Sequence, residues 1–534
     1  MRSPRWISMP VALVLIASTP AFAAELLPAD KPIHEVVDHH INAGLKTEKL
    51  KPAPQVNDAN LARRLTLDLV GRIPAVSEVR TFVSSPESDK RTKLIDGFIG
   101  TPEFVDHQAV RFEVFITGGN GNIRKYLTTA FQENRGWDSM TRDILLAKES
   151  DPVQKEALAF LKGRLKDTDQ LTNDVSVIFF GINVSCTKCH DHPLVDGWTQ
   201  DHFYGMKSFF NRSFDSGGFV GEKEFGRVEY TTTAGEKRQA PLMFLTGTVV
   251  DEPEGHEPSK DEQKKLEAKY KELAKKKEAP PEPKYSRRAK LLEIALKPGE
   301  DHFFAKSIVN RVWHQLIGQG LVMPLDQMHS ENPPSHPELM DWLARDLVSH
   351  NYDLRRLIRG IAMSQAYSRS SQWAAADRPA PETFAVGVVR PLTPWQYSRS
   401  LGLAATDPRQ FAGEIKPDEL LKRITGAANA GNASLFEEPG ENFQISADEA
   451  LLFSNSDRIA GSYLRGGLFG YLKTIEDSSK LIDEASWSIL SRAPDAEERK
   501  LLVTHLDARK DRRDQALQQL IWAMLSGTEF RFNY

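Results

Sequence analysis

Apolar positions along most of this chain recur every three or four residues, the spacing that gives a helix one oily face. Ile33, Val36, Val37 and Ile41 follow Asp30-Lys31-Pro32 and predict a first helix. Leu61 to Val70 predicts an amphipathic helix that stops at Gly71, with Pro74 beyond it and Arg64 and Asp68 paired one turn apart. Ser77 is the expected cap of the next helix. Thr101-Pro102-Glu103 opens another, with proline at the first helical position. Gly118-Gly119-Asn120-Gly121 is a loop, and a further helix closes near Leu146. Val175 to Val184 is an apolar run.

The pattern changes near residue 211. Residues 213–247 are rich in Gly, Thr and Val, and Val228 to Thr233 before Ala-Gly-Glu reads as a β-hairpin. A charged linker covers 251–286. Ser259 and Glu262 form its expected capping box, Glu267–Lys271 and Glu272–Lys276 its ion pairs, and Leu266, Tyr270 and Leu273 a narrow apolar stripe. An exposed spacer helix is the plain expectation. Helical periodicity returns from Ser286. A helix over Phe303 to Ile317 ends at Gly318. Ser335-His336-Pro337-Glu338 is a second expected capping box, opening a helix through Leu347. Tyr352 to Tyr367 is amphipathic, with Arg355, Arg356 and Arg359 outward. Two more helices fill Ala485 to Phe530, with a break at Ser491-Arg492-Ala493-Pro494. The fold class that follows is mainly α: two helical domains, 24–210 and 287–534, joined by a small β insert (211–250) and the charged helical linker (251–286).

The first 23 residues stand apart. Arg2 and Arg5 precede an apolar stretch, Val11 to Ile16, and Ala21-Phe22-Ala23 is a small-x-small cleavage site. Together they predict a secretory signal peptide, too short to span a bilayer, and a periplasmic or otherwise exported protein. Loss of the two arginines takes the formal charge from −4 to −6. Charges of both signs are mixed throughout, which argues against nucleic acid or a polybasic membrane surface as partner. No G-x-S-x-G, HExxH, P-loop or dinucleotide fingerprint is present.

Candidate chemistry centres on Cys186-Thr187-Lys188-Cys189-His190, which holds both cysteines of the 534 residues. This is the spacing of covalent haem c attachment: two thioethers, with His190 as the axial ligand. Three alternatives compete: zinc held by Cys186, Cys189, His190 and His192, a dithiol redox pair, and a structural disulfide. Export favours haem or disulfide. On the far side of a haem, His192 is poorly placed because residue i+2 points away. His202 and Met206 are better candidates, and His314, Met323, Met328 or His329 from the C-terminal half are equally allowed. Trp198, Phe203, Tyr204, Phe209 and Phe210 supply aromatic walls. His34, His39 and His40 read as solvated. Asn310, Arg311, Trp313, His314, Asn332, His336 and Asn455 are candidates for a pocket lining, with packing and capping the plainer expectation.

Longer stretches carry a family resemblance. Arg63-Arg64-Leu65-Thr66-Leu67-Asp68-Leu69-Val70-Gly71-Arg72-Ile73-Pro74, and Cys186 to Pro193 with Trp198, Tyr204 and Phe209-Phe210, resemble the cytochrome-c-like domain of large exported planctomycete proteins (domain of unknown function 1549). Val309-Asn310-Arg311-Val312-Trp313, Gly318 to Val322, Asn332-Pro333-Pro334-Ser335-His336-Pro337-Glu338-Leu339 and Leu490 to Pro494 resemble its C-terminal companion (domain of unknown function 1553). The resemblance implies a haem c site at Cys186, Cys189 and His190, and implies no reaction. Three functions follow as expectations. The first is an exported haem c protein that passes electrons to an unknown redox partner. The second is a non-redox binding protein with zinc or a disulfide. The third is an enzyme with its site between the domains, which should show a cleft with convergent carboxylates or histidines.

Overall fold

The computed structural model describes residues 27–119, 121–253, 257–297, 302–412, 416–427, 433, 436, 438–439 and 460–534. The expected leader, Asn120 and the pocket candidate Asn455 lie outside them. The described chain is mainly helical, with short two-stranded antiparallel sheets.

The first helix, Ile33–Thr47, buries Ile33, Val36, Val37, Ile41 and Leu45, the stripe its periodicity predicts. It packs on two helices from the other half of the chain, Pro337–Ser349 and Leu354–Met363. Gly360 permits that approach: a Cβ there would sit 2.4 Å from Ile33 Cβ, well inside contact distance.

The helix Asp58–Val70 departs from its expected amphipathic form, since every residue from Leu61 to Val70 is buried. It ends at Gly71, whose φ of 77° is left-handed, as a glycine stop requires. Three charged side chains therefore lie in the interior, and they do not pair with each other. Arg64 donates to the carbonyls of Tyr367, Arg369 and Tyr534, and Asp68 accepts from distant donors described below. A pairing one turn apart is worth only about 0.2–0.5 kcal/mol, less than the cost of leaving buried carbonyls and amides without partners.

The following helix, Val76–Ser84, is capped by Glu78 reaching back to the Ala75 amide at 2.7 Å. Ser77 instead donates to Phe411 O at 2.8 Å. Arg72 is buried between Glu78 and Glu103, with its closest contact to each at 2.7 Å.

Two apolar clusters organise the interior. One joins residues of the N-terminal helices, part of the β insert and helices as far as Val386. Trp137 sits within it, stacked between Phe179 and, from the C-terminal half, Phe304. The second cluster runs from Leu392 to Phe530 but also takes in Leu67, Ile73 and Ala75 from the N-terminal half. The two helical segments are thus interlocked: each contributes apolar surface to the other's core.

The insert forms three hairpins: Ser213–Ser216 with Phe219–Glu222, Glu229–Thr231 with Lys237–Gln239, and Leu242–Met243 with Val249–Val250. The linker helix, Lys260–Lys276, has the Ser259–Glu262 capping box and no buried residue. Its Tyr270 lies against Phe214, with ring centroids 4.7 Å apart. Glu267 pairs with Lys223 across to the hairpin, and Glu272 with Lys275, in place of the i,i+4 pairs. Docking on the hairpin supplied a nearer cation for Glu267.

Other differences are local. The helix Pro337–Ser349 starts at His336 without a side-chain cap; Ser335 Oγ lies against His336 Nδ1 at 3.2 Å instead. Arg355 donates to Phe131 O, Arg356 pairs with Asp346 and Arg359 with Asp96, so the arginines of Leu354–Met363 bind neighbouring elements rather than standing free. His40 is half-buried, not solvated. The tail holds Ser478–Leu490, Ala496–Asp507, Arg513–Ser526 and the short Thr528–Arg531, more helix than expected, with the break at Ser491 in a left-handed conformation. Among the described residues, no helix is long and apolar enough to cross a membrane.

Candidate functional site: an exposed dithiol and histidine, and a cavity between the halves

The apolar run Val175 to Val184 begins inside the helix Thr168–Phe180 and continues past its end at the left-handed Gly181. A 3-10 turn, Ser185–Lys188, follows at once. On this turn Thr187 points inward, fully buried, with Oγ1 donating to Val184 O at 2.8 Å. Cys186 and Cys189 point out, exposed and unpaired. The helix Gln200–Ser208 braces the turn from below: Tyr204 Oη and Gln200 Nε2 both donate to Lys188 O, at 3.1 and 3.3 Å. Asp169 holds Lys188 and Lys207 at 2.8 and 2.6 Å.

His190 is exposed, and its Nδ1 lies 2.7 Å from Asp191 O. A carbonyl oxygen only accepts, so Nδ1 is the donor here, and in the neutral ring Nε2 is then the nitrogen with the free lone pair. That is the tautomer a metal ligand needs, oriented by a backbone carbonyl. Two free outward thiols and an imidazole with an open Nε2 fit the donor set of haem c. Leu194, four residues on in sequence, is 64% exposed, an uncovered hydrophobic side chain.

The other residues singled out in the sequence fall in different places. His192 is buried, and its Nδ1 accepts from the amides of Leu194 and Val195 at 3.3 and 3.1 Å. Its ring stands against Trp198 and His329, at 5.4 and 5.5 Å between centroids. His202 Nδ1 accepts from the Thr199 amide at 3.2 Å. Met206 is sealed in the core. The four donors of the zinc alternative are not gathered: among the described residues no group of three or more His, Cys, Asp or Glu side chains is placed to hold a metal ion.

His329 reaches this neighbourhood through a zipper of backbone bonds that no local pattern signals. Asn183 N donates to Asp326 O at 2.8 Å, Met328 N donates to Gly181 O at 3.1 Å, and Ile182 bridges Gln327. Burial pushes the imidazole pKa of His192, His202 and His329 below the usual histidine value.

A second locus lies where the halves meet. A cavity of about 740 Å³ is lined by Asp68, Arg111, His314, Arg390, Glu438 and Asn533 among others. Asp68 lies at its floor and has both carboxylate oxygens engaged. Asp68 accepts from Arg390 Nη1 and Nη2 at 2.9 and 2.8 Å, from Tyr367 Oη at 2.8 Å and from Asn533 Nδ2 at 3.0 Å. The C-terminal strand Phe532–Asn533 pairs with Arg390–Pro391 and closes one side. Of the pocket candidates among the described residues, only His314 lines this cavity. Asn310 binds Val322 by both its amide atoms, Trp313 is core, Arg311 covers the Phe115 ring at 4.4 Å, and Asn332 ties the 323–327 loop. Asp68, Arg111 and Arg390 were not singled out by sequence. The available signal was three charges in Arg63 to Asp68 amid apolar residues on every helical face, a pattern that implies a buried polar network.

Burial first, then the cations Arg390, Arg111 and Arg311, pushes His314 down to about 4. Burial, then His40, takes His336 down to about 4, and burial holds His107 well below its ordinary value. At neutral pH all three are uncharged. Below about pH 6.5 the unfolded chain takes up protons that the folded chain refuses. The stability these residues hold above that pH is therefore lost progressively as pH falls toward 4. Urea midpoints are expected to drop between pH 7 and 5, and His314→Gln is expected to flatten the slope; a flat or rising midpoint would contradict this assignment.

Residues 36–214 match a family described as a protein of unknown function, DUF1549 (PSCyt2). Residues 287–422 match a second, also of unknown function, DUF1553 (PSD1). The chain carries the PSCyt2 and PSD1 domains in that order. The PSCyt2 match contains the CxxCH turn and the helix bearing Asp68, and the PSD1 match contains His314, His329 and Arg390. Both loci are thus built partly or wholly from matched sequence, and the cavity needs residues of both. No curated protein and no solved structure matches the chain.

Proposed function

We propose that this chain is an exported haem c protein that moves electrons. Cys186 and Cys189 would anchor the group as thioethers, and His190 Nε2 would be its axial ligand. The observation that carries this reading is the His190 tautomer: Nδ1 is engaged by Asp191 O at 2.7 Å, so Nε2 is left free, one residue from an exposed, unpaired thiol. When bound, the haem would supply a one-electron couple.

The chain's own contribution is placement. Buried Thr187 and the Tyr204 and Gln200 bonds to Lys188 O fix the turn, so that both sulfurs and the imidazole are held outward together. Leu194, exposed and close in sequence, would offer apolar surface to such a group. Exposure of the thiols also favours an electron partner that docks at this face, since an outer position shortens the path to it. Export follows from the leader, and attachment to CxxCH takes place outside the cytoplasm.

The test is a spectrum. Full-length protein made in a bacterial host competent in haem attachment is expected to be red, with a Soret band that survives acid-acetone extraction. Colourless protein from that host would overturn the reading.

A further inference from the structure

The polar groups that line the cavity between the halves are unequally used. Asp68 is saturated by Arg390, Tyr367 and Asn533, and Arg390 Nη1 also donates to Gln315 O. Arg111 and His314 differ. Arg111 comes from the helix Pro102–Thr117 and His314 from Phe303–Ile317, and both line the cavity. Among the described residues, neither side chain has a hydrogen-bond or ion-pair partner. Glu438 acts on Arg111 through its charge but forms no ion pair with it.

A guanidinium in a concave, partly desolvated place without a counter-ion in contact is costly to keep. Burial takes the Arg111 pKa down to about 10, Asp68 acting against it, so it is still protonated at neutral pH. The charge inventory limits what can balance it. Arg390 is matched by Asp68, and His314 is neutral, so Arg111 with Glu438 at a distance calls for at most one negative charge. The guanidinium fork fits a planar carboxylate by two parallel bonds. Neutral His314 and the Glu438 carboxylate suit hydroxyl groups, which both donate and accept. Met323, Pro324, Val388 and Phe532 give apolar surface for a carbon skeleton, and a volume of about 740 Å³ suits a small organic molecule.

We propose that this cavity binds a small hydroxylated organic monocarboxylate, its carboxylate on Arg111 and its hydroxyl groups on His314 and Glu438. The site is assembled only when the two halves are docked, because Asp68 and Arg111 come from one and His314, Arg390 and Asn533 from the other. It does not depend on whether the CxxCH turn carries a haem.

Calorimetric titration of the full-length protein tests it, with sodium gluconate, sodium lactate, D-glucitol and inorganic phosphate as probes. Gluconate, lactate or both are expected to bind at millimolar concentration or below, and glucitol, which has no carboxylate, is expected not to bind. Arg111→Gln is expected to weaken binding at least about tenfold, with Arg111→Lys intermediate because it keeps the charge and loses the fork. Circular dichroism melts establish that each variant is folded; should Arg111→Gln not fold, Arg111→Lys and His314→Gln carry the test. The proposal is overturned if neither carboxylate binds, if glucitol binds as well as gluconate, if phosphate binds more tightly than both, or if the folded variants bind like wild type.

Discussion

Asp68→Ala is expected to lower the unfolding free energy by about 3–5 kcal/mol, the range for removing one partner of a buried charge pair. Asp68 is 1% exposed. Four hydrogen bonds reach it from three points of the C-terminal half: Tyr367, Arg390 and Asn533. Truncation leaves the Arg390 guanidinium without its counter-ion and two further donors without an acceptor. Arg390 borders the cavity and can draw water there, so the loss should fall toward the lower end of that range. Asp68→Asn is expected to be nearly as damaging, because its amide nitrogen meets the donors of Arg390. Urea unfolding followed by circular dichroism measures both. A loss below about 1 kcal/mol for the alanine variant would show that the network is not a principal tie between the halves.

The second large effect concerns the thiols. The double variant Cys186→Ser, Cys189→Ser is expected to retain no haem through acid-acetone extraction, because a hydroxyl does not form the thioether. Its fold should be intact, since both side chains are exposed and unpaired and the turn is held by Thr187, Gln200 and Tyr204. His190→Ala should separate anchoring from ligation: the covalent band persists, but the spectrum loses the signature of a histidine on that side of the iron. Retention of extractable-resistant haem in the double variant would refute thioether anchoring. An unchanged spectrum in His190→Ala would refute the ligand assignment.

The helical character was legible because periodic burial follows from periodic apolar spacing. Ile33 to Leu45 and Phe303 to Ile317 face the core as their sequence implies, and glycine stops at Gly71 and Gly318 are positions where the backbone must turn left-handed. The helix Asp58–Val70 was misread for a related reason. Amphipathic spacing describes a helix with one solvated face, whereas this one is covered all round, partly by residues 299 and 322 positions away. No window of local sequence registers a partner that distant. Charge pairs differ on the same ground: Glu267 takes Lys223 rather than Lys271, and Asp68 takes Arg390 rather than Arg64, because docking brings a nearer partner than the next helical turn offers.

The two candidate sites divide along this line. CxxCH is a local motif: two thiols, one imidazole and their spacing are all contained in five residues, so sequence alone marks it as a candidate site. What the motif could not reveal is orientation, that Thr187 turns in, that the sulfurs turn out and that Asp191 O settles the His190 tautomer. The cavity is the opposite case. Arg111, His314 and Asn533 have no sequence relation to one another, and although His314 is a pocket candidate by itself, nothing local points to Arg111 or Asn533 as its companions.

By itself, then, the sequence determined the helical class, the β insert and charged linker, and the presence of the dithiol–histidine motif, because those depend on spacings of a few residues. Only the tertiary structure decided that the halves share their cores, that Asp68 is a buried hub and that an unpaired guanidinium faces a chamber between them. Those features arise from contacts hundreds of positions apart, where burial and charge matching across the docked surface, rather than neighbouring residues, set the outcome.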